Sequence, residues 1–162
     1  TGRSEYFKNM LNGQFKEGLD TTNAAIADTT TTANHTGRRS IHIPDTTYEA
    51  LYEVCRFLYC SRCILTSTNT IDILLLSSKF LLIDLIDLIV IEMVKAIDLQ
   101  NCMSFLHISD CLVLNKLKES VLLYIRDMKN ENGDRYATLI TSSEYRQLDH
   151  NLKNQISSFE KL

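Results

Sequence analysis

From Tyr48 onward apolar side chains recur at three- and four-residue intervals, the spacing that gathers them on one face of a helix. The capping-box pair Thr46 and Glu49 predicts a helix start there, with Leu51, Val54, Cys55 and Leu58 inward and an end near Tyr59-Cys60. A second helix is expected from Thr70 to Phe80. A third, from Asp84 to Asp98, carries its polar positions Asp84, Asp87, Glu92, Lys95 and Asp98 in one sector of about 140°. So narrow a wet stripe implies an enclosed helix, with Leu88, Ile91 and Val94 nearly inaccessible. Asn101 suits the cap of a short helix turning Cys102, Phe105, Leu106 and Ser109 inward. A longer helix follows, with Leu114, Leu117, Val121, Ile125 and Met128 at helical spacing, and residues 130–133 break it. Two weaker amphipathic pieces remain, Ser143 to Leu148 and His150 to Phe159. No repeat period of 20–50 residues is sustained.

The first forty residues read differently. SEYFKNML, Ser4 to Leu11, is a helix rich in aromatic and apolar residues, and Asn12-Gly13 ends it. Gly18 to Ser40 has no periodicity and little apolar surface to offset its ordering entropy, so it is expected to be a flexible insertion. Ile41-His42-Ile43 alternates in period two before Pro44, which suits one short strand.

Composition narrows the function classes. The chain has 162 residues and a net charge of -3, with no basic stripe of the kind nucleic acids require. One Pro, five Gly and no Trp favour helices over a loop-rich sandwich. Five cysteines, an odd number set mostly in apolar runs, favour reduced, buried thiols and a cytoplasmic or nuclear setting. The apolar run 71–97 is broken by Lys79, Asp84, Asp87, Glu92 and Lys95, short of the roughly 20 uncharged residues that a membrane span needs.

Candidate chemistry is sparse. Cys60-Ser61-Arg62-Cys63 has CxxC spacing, but it follows a helix C-terminus, where the dipole disfavours a thiolate. No second cysteine or histidine pair stands at metal-ligand spacing, so two ordinary semi-buried thiols are expected. Asp84 and Asp87 lie near a helix N-terminus, where solvation and the macrodipole account for them. His107 is expected to be a packed or surface residue rather than a base. Phosphate-loop, serine-elbow and zinc-protease motifs are all missing from the sequence. The expectation is a non-enzyme without cofactor or metal.

Three stretches taken together, SEYFKNMLNGQFKE, IHIPDTTYEALYEVCRFLYC and NTIDILLLSSKFLLIDLIDLIVIEMVKAI, resemble the BTB/POZ domain. NCMSFLHISDCLVLNKLKESVLLYI resembles the helical extension, the 3-box or start of a BACK region, found in cullin-3 adaptors. The resemblance implies a mostly α, α+β fold of stacked helical hairpins with a short residual strand and extra helices behind it. It divides the chain into a helix and docking loop (1–17), an insertion (18–40), the rest of the BTB core (41–99) and the extension (100–162). Family members open with a dimer-forming helix and a strand hairpin, whereas this sequence opens on the helix after them, so a truncated BTB fold is expected. In cullin-3-binding members a hydrophobic-x-Glu sequence follows that helix and docks on the scaffold; Phe15 and Glu17 match it. The turn at Lys79–Asp84 neighbours that surface in the family, so Phe80 and Leu82 are expected to extend the apolar patch. The implied role is an adaptor piece for a cullin-3 ubiquitin ligase. The alternative is a BTB self-association or scaffold module, homo- or hetero-oligomeric, with no ligase role.

Overall fold

The computed structural model describes Asn9 and residues 43–158, and the described chain from residue 48 on is helical almost throughout. Asn9 is helical, within the helix expected from Ser4 to Leu11. The flexible-insertion expectation for 18–40 and the docking positions Phe15 and Glu17 fall outside the described residues, as do Ile41 and His42. Ile43 is not in a strand, and no strand occurs among the described residues. The chain divides into two compact units, Thr1–Ile86 and Asp87–Leu162. The sequence-based boundary at 99/100 lies beyond this division, which falls inside a helix.

In the first unit, α1 (Tyr48–Cys60) packs on α2 (Thr70–Lys79). The start of α1 is set one residue later than the capping box predicts. Thr47 is the N-cap and accepts from the Ala50 amide at 3.4 Å, while the Thr46 hydroxyl bonds back to the Pro44 carbonyl at 3.2 Å. With Ala50 at the third helical position there is no reciprocal Glu, so the box does not form. The buried face of α1 is Ala50, Glu53, Val54, Phe57 and Leu58, with Leu51 and Cys55 at its half-buried flanks. From α2 come Ile73, Leu74, Leu76 and Ser77. Ser77 is fully buried and returns its hydroxyl to the Ile73 carbonyl at 2.6 Å, which satisfies it inside the helix.

Helix α3 (Ile83–Lys95) starts in the first unit and continues into the second. Its buried side chains are Leu85, Ile89, Val90 and Met93; Ile91 is 42% exposed, and Leu88 and Val94 are only half-buried. This corrects the expectation for 88, 91 and 94. At 100° per residue Leu88 and Ile91 fall inside the same sector as Asp84, Asp87, Glu92 and Lys95, so the helix turns them outward with the charges.

The second unit continues with α4 (Cys102–Cys111) paired with α5 (Asn115–Glu131). α5 also packs on α6 (Gly133–Thr141) and α8 (His150–Ser158), and α7 (Ser143–Gln147) lies against α6 and α4. Leu117, Val121, Ile125 and Met128 form the buried stripe of α5, as their spacing predicts. Helix α6 is not among the helices the sequence pattern predicts. Asn132 caps it by accepting from the Arg135 amide at 3.3 Å, and only Tyr136 and Leu139 are buried. Gly at its first position, directly after Asn130-Glu131-Asn132, reads as a break and masks the helical spacing of Tyr136 and Leu139 behind it.

One local unit occurs twice. Asn69 and Asn101 precede α2 and α4, and neither side chain caps the helix it opens. Each instead holds the loop before it. Asn69 Oδ1 accepts from the Thr66 amide at 2.8 Å and its Nδ2 donates to the Ile64 carbonyl. Asn101 Oδ1 accepts from the Asp98 amide at 2.9 Å and its Nδ2 donates to the Ala96 carbonyl. At the far end, Leu82 N–H reaches the Ser77 carbonyl and Leu81 N–H that of Ser78; Leu114 and Val113 repeat this on Ser109 and Asp110. Both are Schellman closures. Each places an apolar residue, Leu81 (φ 54) or Val113 (φ 57), in the left-handed region where glycine is usual.

Candidate interaction surface

The turn between α2 and α3 is where the sequence expects an apolar patch. Its closure decides which side chains face out. The left-handed residue reverses the chain, so Phe80 (1% exposed) and Leu82 (3%) turn into the core, while Leu81 (71%) and Ile83 (60%) stand in water. Phe80 and Leu82 therefore do not form a surface patch; the outward apolar residues of this turn are Leu81 and Ile83. A small cavity of about 210 Å³ opens beside them, lined by Phe57, Leu81, Leu82, Ile83 and Asp84.

The outer face of α1 is the other unusual surface. Tyr48 and Tyr52 lie one turn apart with ring centroids 6.1 Å apart and planes at 27°, stacked on each other in solvent. Tyr59 is 80% exposed further along the same helix. One turn beyond Tyr52 comes Arg56, whose guanidinium is held at 3.0 Å by Glu53 Oε1. Glu53 is a buried carboxylate, and its second oxygen accepts the Ile64 amide at 2.7 Å. That pair of bonds ties the segment after α1 back onto the helix. The sequence carried a signal for it, because Glu53 falls between Ala50 and Phe57 on the face otherwise filled by apolar residues.

This tie fixes the chemistry of the CxxC. Cys60 is exposed, and Cys63 is half-buried beside Glu53. Burial pushes the Cys63 thiol up to about 11; the Glu53 charge adds to the rise and Arg56 opposes it. A thiol so hard to ionise is a poor redox nucleophile. Cys102, buried, is likewise raised to about 11, first by burial. His107 is exposed on α4, and its Nε2 lies 3.8 Å from the Cys111 sulfur one turn on, a neighbour that their i, i+4 spacing indicates. Asp84 and Asp87 are both exposed. Among the described residues no group of three His, Cys, Asp or Glu side chains is placed to hold a metal ion, and no helix is long and apolar enough to cross a membrane.

The features with chemical reach are thus apolar and aromatic side chains standing in water on α1 and at the α2–α3 turn. Such surfaces suit contact with another macromolecule. Comparison with known proteins agrees in kind: residues 2–97 match the family model of the BTB/POZ domain. No curated protein matches the chain.

Proposed function

The chain belongs to the BTB/POZ domain family, a protein–protein interaction module, and on that premise we propose that it is an adaptor piece for a cullin-3 type scaffold. The observation that carries this reading is the α2–α3 turn. It sets Leu81 and Ile83 in water at the place where the resemblance puts the scaffold contact. Phe15 and Glu17 match the family's docking pair in type and order. Past the family match, α4 and α5 follow in the chain and pack on each other, in the sequence order of the adaptor extension. In this role the protein works in a reducing compartment, cytoplasm or nucleus, and performs no catalysis itself.

Calorimetric titration of the full chain with the N-terminal domain of a cullin-3 scaffold tests the reading. Phe15→Ala is expected to weaken binding by about 30-fold or more, the loss of one buried anchor. Leu81→Asp, at an exposed position, is expected to weaken it by about tenfold while leaving the melting temperature within a degree or so. An intact chain that does not bind removes the adaptor reading in favour of BTB self-association, which sedimentation of the same sample then measures.

A further inference from the structure

The outer face of α1 is not used by the scaffold contact just described. Tyr48 and Tyr52 present a stacked aromatic pair, and a shallow, open depression follows it, lined by Tyr52, Arg56, Cys60 and Arg62. Arg62 is exposed and takes part in none of the ion pairs among the described residues. Arg56 is held in place by Glu53, and that carboxylate is itself anchored by the Ile64 amide. The guanidinium is therefore oriented before any partner arrives, its Nη1 donating to Glu53 Oε1. Glu49, exposed near the N-terminal end of the helix, is the acidic residue at the opposite end from the arginines. Acidic and aromatic side chains thus stand at the start of the face, and at its end the Arg56 charge is balanced by Glu53 while Arg62 adds a further exposed cation.

We infer that this face is a docking site for an acidic, aromatic-bearing peptide segment of a partner protein. Charge complementarity selects the occupant. A carboxylate of the peptide would accept hydrogen bonds from Arg62 and Arg56, whose planar N–H forks donate in pairs. An aromatic residue of the same peptide lies against the Tyr48–Tyr52 pair and gains ring contact beyond its buried area. Tyrosine and arginine grouped in this way are the residues over-represented where binding energy concentrates. The inference stands apart from the scaffold reading, since its residues lie on α1 and in the segment after it, not on the α2–α3 turn.

The test is fluorescence anisotropy of the full chain with three labelled decapeptides. One is rich in Asp and Glu with a central Phe, one has Lys in place of the acids, and one is acidic with Ala in place of Phe. The acidic Phe peptide should bind, the Lys peptide should not, and the Ala peptide should bind more weakly. Arg62→Glu and Tyr52→Ala should each weaken the acidic Phe peptide by about tenfold, with added salt weakening it further. Scaffold binding should be unchanged by Arg62→Glu, which separates this site from the α2–α3 turn. Failure of the acidic Phe peptide to bind, or binding indifferent to Arg62→Glu, overturns the inference. Equal binding of the Ala peptide, or tighter Arg62-dependent binding of a single-stranded oligonucleotide, overturns it as well by making the face a general anion sink.

Discussion

Val113 is a β-branched residue in the left-handed region, 75% exposed, at the turn that joins α4 to α5. An L-residue there costs roughly 1–2 kcal/mol, whereas glycine bears no such penalty but carries roughly 0.5–1 kcal/mol of extra unfolded-chain freedom. Little packing is lost at so exposed a site. Val113→Gly should therefore stabilise the protein by about 0.5–1 kcal/mol in denaturant unfolding. A measured loss would mean that the side chain is covered by a partner in solution. Thiol chemistry makes a second prediction at this scale. With its thiol at about 11, Cys63 is ionised to only about one part in a thousand at pH 8, and its alkylation rate rises tenfold per pH unit until that value is reached. Iodoacetamide at pH 8 should label the exposed Cys60 and Cys111 well before Cys63 and Cys102. Equal labelling of Cys60 and Cys63 would show that Glu53 does not hold the segment at Ile64.

Among the elements, α3 shows how far a pattern can be read. That residues 84–98 form a helix was plain from the charges spaced along them, and the helix observed, Ile83–Lys95, differs only at its ends. Which apolar side chains face inward required placing Leu88 and Ile91 by angle rather than by hydrophobicity. Ile89 is fully buried and Ile91 is 42% exposed. Ile89→Ala should cost about 2–5 kcal/mol, as for a large buried side chain, and Ile91→Ala under about 1 kcal/mol. Comparable losses at the two sites would show that the outward face is covered. The stripe of α5 was legible because four apolar residues in register outweigh any local exception. The α2–α3 turn was not. Its composition, Lys-Phe-Leu-Leu-Ile-Asp, gives no glycine to mark the left-handed residue, so nothing in the sequence indicated that Phe80 and Leu82 face in and Leu81 out. The same absence hid the recurrence of that turn at Val113.

At the scale of the whole molecule, the family match and the packing do not end together. The BTB/POZ match runs to residue 97, yet the first compact unit ends at Ile86, and α3 from Asp87 onward belongs with α4 to α8. Ile89, Val90 and Met93, all buried, lie in that stretch. A chain cut after residue 97 keeps the family domain by sequence but loses the rest of the second compact unit. Where the rest of that unit covers them, truncation returns their apolar surface to water at roughly 25 cal/mol per Å², several kcal/mol in sum for three large side chains. That is a large share of the stability an ordinary domain possesses. The extension is thus expected to be required for the fold of α3 and not merely appended to it. Thermal unfolding of the 1–97 fragment against the full chain, with a dye that binds exposed apolar surface, measures this directly. The fragment should melt lower, with a broader transition and higher dye signal. A fragment as stable and as dye-silent as the full chain would place the C-terminal half of α3 in the first unit and make the extension an independent domain.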